Sequence, residues 1–177
     1  MKATLLSTLV SLVFVTPSAH AWKPEVGEVP GEITTFEYVD GSALSLADLK
    51  GQPVLLYFGA DWCIPCHKAR PVVEKVAKAN QSRGLKVIFL SNDDNRIRAK
   101  KQEEEKQMGA RIAMPTMTAC PPASCPGGVH DLGAFGKTYV LPTAVLLGAD
   151  GTVKEKLERG EVISRGLEAS VDHLLSR

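Results

Sequence analysis

The sequence predicts an α/β domain, a sheet flanked by helices, and three stretches carry that prediction. Val54-Leu55-Leu56-Tyr57-Phe58 is apolar without alternation, the texture of a strand buried on both faces. In the stretch that follows, to about Asn80, Ala69, Val72, Val73, Val76 and Ala77 recur at helical spacing, while Lys68, Arg70, Glu74, Lys75 and Lys78 take the other side. Leu85-Lys86-Val87-Ile88-Phe89-Leu90-Ser91 then returns to strand texture after Gly84, which ends the helix. A strand, a helix and a second strand of this kind imply a right-handed parallel crossover within one sheet.

The chain has 177 residues, with 21 basic and 20 acidic side chains. No acidic residue occurs in the first 21. That segment has Lys2, an apolar run from Leu5 to Val15, then Pro17 and Ala19-His20-Ala21. A basic start, a short apolar core and small residues before a cut form the pattern of a signal peptide, so residues 1–21 are expected to be removed. An uncleaved membrane anchor is the alternative, but the apolar core is shorter than the ~20 residues of a spanning helix. Residues 22–177 are one domain's worth of chain. Loss of Lys2 makes the basic and acidic counts equal, and a neutral chain with no basic stripe gives no electrostatic case for nucleic acid. Outside the cytoplasm disulfides persist, so all four cysteines can be oxidised at rest.

The elements follow in order. Residues 22–32 carry Pro24, Gly27, Pro30 and Gly31 and read as an irregular lead-in. Thr34 to Val39 alternates and is rich in β-formers, so an edge strand is expected there, closed by Asp40-Gly41. Ser45 caps a short helix over Leu46 to Leu49, stopped by Gly51. After the strand–helix–strand unit, Asn92-Asp93-Asp94-Asn95 is a loop, and Arg96 to Met108 reads as a charged surface helix. From Gly109 to Gly136, Pro115, Pro121, Pro122, Pro126 and several glycines break any long element. Long loops inside compact domains are uncommon and often functional. Tyr139 to Leu147 is again strand-like across Pro142, and Asp150-Gly151 is a hairpin turn leading to Thr152-Val153-Lys154. Val162 to Leu175 reads as one last helix with Leu167, Val171, Leu174 and Leu175 inward.

The chemistry sits between the first strand and its helix, at Trp62-Cys63-Ile64-Pro65-Cys66. Two cysteines two residues apart at such a corner can close a small disulfide ring or open to a dithiol. A helix N-terminus favours the thiolate, which is the nucleophile. Cys63, nearer the helix start, is the expected exposed attacker, and Cys66, one turn inward, the resolving thiol. Half of a zinc site is the competing reading, since zinc takes a second ligand pair and Cys120 and Cys125 exist. His67 follows directly and is either a neighbour that favours the thiolate or an exposed helical side chain.

Leu55 to Cys66 resembles the strand and active-site motif of the thioredoxin superfamily. Pro71 sits where that family kinks its active-site helix, and Leu141-Pro142-Thr143 resembles its cis-proline loop. Ser45 to Pro53 is similar to the lead-in of the exported TlpA/ResA-like branch. The resemblance covers roughly residues 30–95 and 135–175. It implies a thioredoxin-like fold, a central mixed sheet flanked by helices, with an inserted proline/glycine-rich loop at about 96–137. It implies Cys63, Cys66 and Pro142 as catalytic residues, and Trp62, Leu141 and Thr143 as substrate contacts. It also implies protein substrates with thiols or disulfides, a membrane thiol as electron donor, and no cofactor. Many thioredoxin-like reductants bury an acid near the second cysteine. At the two positions where they carry it, this chain has Tyr57 and Ala69.

The second pair, Cys120-Pro121-Pro122-Ala123-Ser124-Cys125, admits three readings: a structural disulfide, a relay pair that exchanges with the first, or a soft-metal site. For the last, Met114, Met117 and His130 would join the two cysteines, a donor set that suits Cu(I); Met108 lies just upstream and flexible core filling is the simpler use of such methionines. The expected function is an exported thiol–disulfide oxidoreductase, most simply a TlpA-like reductase. An isomerase or oxidase on the same fold, or a metal-handling protein using the Met/Cys/His-rich loop, are the alternatives.

Overall fold

The computed structural model describes residues 24–30, 35–38, 43–91, 111–115, 130–131, 137–138, 140–164 and 166–176. Residues 1–21, most of the stretch 96–137, and Met117, Cys120 and Cys125 lie outside them, as does the expected charged helix.

β1 (Thr35–Tyr38) and β2 (Ala43–Ser45) pair antiparallel. A 3-10 turn, Leu46–Leu49, follows, and Gly51 at φ 88° turns the chain into β3 (Val54–Gly59). α1 (Ile64–Asn80) runs through Pro71. A second short 3-10 turn ends at Gly84 in the left-handed region, φ 84°, the usual way to stop a helix without a Cβ clash. β4 is Lys86–Ser91, β5 Arg111–Pro115, β6 His130–Asp131 and β7 Lys137–Thr138. β8 (Thr143–Leu147) and β9 (Val153–Glu158) form a hairpin. Two helices close the chain, α2 (Gly160–Ile163) and α3 (Gly166–Leu175).

Seven strands form one mixed sheet in the order β2-β1-β5-β4-β3-β8-β9, and β6 and β7 pair separately. β3 lies inside it, parallel to β4 and antiparallel to β8. All six of its residues are buried, as its unalternating apolar run predicts. Its alternate residues feed two clusters. Leu55 and Tyr57 pack with Ala69, Val73 and Val76 of α1, and with Val162, Leu167 and Val171. Val54, Leu56 and Phe58 pack with Ile88, Leu90, Val145, Leu147 and Val153 on the other face. Each such side chain contributes ~1.5–3 kcal/mol through burial.

β1 is not the edge strand expected from its sequence, since β2 pairs outside it and β5 inside, and two further expectations need correction. The final helix is not continuous. Ser164 is extended (φ −73°, ψ 173°), its hydroxyl donates to the Glu161 carbonyl, and it accepts the Gly166 amide at 3.3 Å. A serine that ends one helix and caps the next is the local competitor that helical periodicity overlooks. Second, the proline- and glycine-broken stretch carries β5, parallel to β4 and antiparallel to β1. Only a strand there joins β1 to the rest of the sheet, a long-range demand that no five-residue window displays.

Candidate active site

The register of β3 against β8 builds the site. Phe58 pairs with Thr143 and Tyr57 with Ala144. The end of β3 therefore meets the start of β8, and the chain beyond Gly59 lies beside Leu141-Pro142. Cys63 is the N-cap residue of α1 in extended conformation, with its amide donated to the Ala60 carbonyl at 3.2 Å. The Cys66 amide donates to the Cys63 carbonyl at 2.9 Å, which fixes the first turn. Pro65 suits this turn because its missing N–H is one that a helix start leaves unpaired anyway.

Cys63 and Cys66 are joined as a disulfide, S–S 2.13 Å, Cα–Cα 5.2 Å. Ala60 and both cysteines form a small cluster against which Leu141 packs. The Leu141–Pro142 peptide is cis. The Pro142 carbonyl accepts the Arg159 amide at 2.8 Å, so the end of β9 holds the loop from behind. Thr143 is wholly buried and its hydroxyl donates to the Val140 carbonyl at 2.7 Å. Its side chain shapes the loop and does not reach the surface.

Both cysteines are buried in this oxidised form, 5% and 4% exposed. Cys63 is thus no more open than Cys66, contrary to the sequence-based expectation. The reason is local: Leu141 and Ala60 cover the ring. Open apolar surface flanks it, with Trp62 57% and Ile64 76% exposed. No acidic side chain lies in the first turn of α1, so none competes with a thiolate for the positive end of the helix. His67 is exposed and its Nε2 lies 2.6 Å from the Asp61 carbonyl, which pins the ring back over the approach to the helix.

The two positions where a buried acid would sit are filled as the sequence has them. Ala69 is fully buried. Tyr57 is buried and its hydroxyl donates to the Cys66 carbonyl at 3.3 Å. Its ring meets Phe89 edge-on, centroids 5.3 Å apart. Gly59 lets the ring in, because a Cβ there would stand 2.9 Å from the Tyr57 ring. Among the described residues, the buried side chains classed as polar or charged are Asn80 and Thr143, so no buried carboxylate stands by Cys66. Tyr57 as a partner of the cysteine turn was not foreseen; Gly59 two residues after it on the same strand face was the available signal.

Among the described residues no group of three His, Cys, Asp or Glu side chains could hold a metal. Of the metal candidates only the backbone strands containing Met114 and His130 are described, β5 and the separate β6–β7 pair. A groove of about 790 Å³ lies at the opposite end of the sheet, lined in part by Val26, Asp150, Lys154, His173 and Leu174. None of the expected site residues borders it.

The model of the AhpC/TSA family matches residues 30–158. The thiol-disulfide oxidoreductase ResA of Bacillus anthracis is 29% identical over 136 residues, 76% of this chain and 70% of that protein. Among solved structures, a thiol:disulfide interchange protein of the thioredoxin family from Chlorobium tepidum TLS superposes with a TM-score of 0.55. It is 22% identical, and the match covers 86% of this chain and 99% of that one. A secreted disulfide oxidoreductase of Mycobacterium tuberculosis, homologous to E. coli DsbE, gives 0.53 at 18% identity over 80% and 93% of the two chains.

Proposed function

Because the chain belongs to the AhpC/TSA family and is a thiol–disulfide oxidoreductase of the thioredoxin superfamily, we propose that it is an exported reductase of protein disulfides that works through Cys63 and Cys66. The observation that carries this is the Cys63–Cys66 disulfide at the start of α1, packed against the residue before Pro142. In the reduced protein the Cys63 thiolate attacks one sulfur of a substrate disulfide. A mixed disulfide forms and the other substrate sulfur leaves as a thiolate. Cys66 then gives up its proton to solvent or to the departing thiolate and attacks the Cys63 sulfur. The Cys63–Cys66 ring closes, and the substrate leaves as a dithiol with the two electrons that the enzyme has lost. A membrane dithiol restores the reduced state.

The helix start favours Cys63 as thiolate. Trp62 and Ile64 supply exposed apolar surface beside the sulfurs, and the Leu141-Pro142 backbone is the edge along which an extended substrate lies. Export is supported by the leader pattern of residues 1–21 and by the secreted Mycobacterium protein of the same fold. Among the described residues no helix is long and apolar enough to cross a membrane.

A second reading, an oxidase, is favoured because no buried carboxylate stands near Cys66 among the described residues, which leaves the closing step without a built-in proton acceptor there. The reduction potential separates the two. It is measured on residues 22–177 with Cys120 and Cys125 replaced by Ser, in glutathione or dithiothreitol buffers. A value near about −270 mV, as in thioredoxin, identifies a reductant. A value near about −120 mV identifies an oxidant and reverses the assigned direction.

A further inference from the structure

Arg159 is the one non-glycine among the described residues with a positive φ, at φ 48° and ψ −113°. An L-residue with a Cβ is disfavoured there, and glycine is the ordinary occupant. The surroundings over-determine the conformation. The Arg159 amide donates to the Pro142 carbonyl at 2.8 Å, and its own carbonyl accepts the Val162 amide at 3.2 Å. Just before it, the Glu158 amide donates to the Glu161 carboxylate at 2.8 Å. These bonds hold β9, α2 and the loop beside the cysteines in one arrangement, with a large cationic residue at its strained point.

The backbone of Arg159 is one hydrogen bond from Pro142, and Leu141, the residue before that proline, packs on the cysteine ring. The side chain is exposed and has no ion pair among the described residues. The carboxylates nearest in sequence are engaged, Glu158 with Lys156 and Glu161 with the Glu158 amide. An exposed guanidinium on the residue whose amide is bonded to Pro142, with no carboxylate partner among the described residues, is matched by a carboxylate from outside.

We propose that Arg159 determines specificity, selecting substrate proteins that carry Asp or Glu beside the reacting cysteine. This rests on the thiol-exchange reading above and adds the chemical class of the substrate. It gives a physical reason for an arginine where glycine would be unstrained: the side chain is used on the substrate.

The test uses two disulfide-bridged peptides, identical except that one carries two glutamates and the other two lysines next to a cysteine. Exchange with the Cys63–Cys66 pair is followed in both directions, reduced protein with oxidised peptide and oxidised protein with reduced peptide. The wild-type chain is expected to react with the acidic peptide about tenfold faster at low ionic strength, a preference that shrinks in high salt. Arg159→Gln should bring the two rates together, and Arg159→Glu should invert their order. Arg159→Gly, which removes the side chain and the strain at once, should lose the preference while melting at a higher temperature. Equal wild-type rates for the two peptides, or an acidic preference that survives Arg159→Glu, overturn the proposal and leave the thiol-exchange reading standing. No exchange with either peptide in either direction overturns both.

Discussion

The two ends of the sheet solve the same backbone problem with different residues. At the end away from the cysteines, turns that need a positive φ use glycine: Gly27, Gly51 and Gly151. These turns are tied by ordinary bonds, the Gly51 amide to the Ala149 carbonyl and the Gly27 amide to the Val153 carbonyl. Asp150 receives Thr152 and Lys154 in a local polar network. At the cysteine end the positive φ belongs to Arg159. There Trp62 and Ile64 expose apolar surface beside the disulfide ring, though Val26 and Val29 are exposed at the other end as well. One end is relaxed and self-satisfied. The other keeps a strained residue and a redox bond close together, the distribution expected of a functional end.

The largest test breaks the chemistry of one end and leaves the other intact. Cys63→Ser should abolish exchange with a disulfide peptide, measured by release of peptide thiols. A ring this short constrains the unfolded chain by only about 2 kcal/mol, so denaturant unfolding should show a fold that survives. Retained full activity in that variant would remove the functional reading.

The next pair of substitutions compares the turns directly. Gly151→Ala should cost about 1–2 kcal/mol, because a Cβ enters the left-handed region. Arg159→Gly should go the other way and stabilise by about 1 kcal/mol, strain relief less the added entropy of a glycine. Two destabilisations of equal size would mean that both turns are structural in the same sense. Tyr57→Phe should follow at about 0.5–1.5 kcal/mol, the net worth of one hydrogen bond, with the unfolding slope in urea unchanged.

The smallest effect is a pH dependence. The Lys154 ammonium, with the Thr152 amide and hydroxyl, holds Asp150 down at about 2 against an ordinary value of 3.8. A carboxylate depressed in the folded state stabilises above the unfolded value and stops doing so as pH falls through the folded one. The melting temperatures of wild type and Asp150→Asn should therefore differ at about pH 6, well above both values, converge between pH 3.8 and about 2, and coincide below that. A gap that persists at the lowest pH would assign the difference to the amide itself.

Much of this was legible in the sequence. β3 announced itself because a strand buried on both faces has no choice but an apolar run, and α1 because one face repeats at helical spacing. The Asp150-Gly151 turn and the cap at Gly84 are local chemistry. The stretch with β5 was harder: its pairing partners β1 and β4 are distant in sequence, and its own residues carry Pro115. The break at Ser164 was lost because Val162, Leu167 and Val171 stay buried whether the helix is one piece or two. At the site, the cysteines and Pro142 were visible as a motif. Arg159 was not, because a backbone angle leaves no pattern in the residue types, and for Tyr57 the signal was Gly59, two residues on along the same strand face.

The antiparallel pairing of β3 with β8 also sets an order of events during synthesis. Leu56 sits against Val145, most of the domain later along the chain. Cys63 and Cys66 are therefore made well before the segment that places Leu141 over them exists. Contacts this distant in sequence are slow to form. A nascent or unfinished chain presents an uncovered thiol pair to its surroundings, and only the finished chain confines that reactivity to the narrow edge beside Pro142.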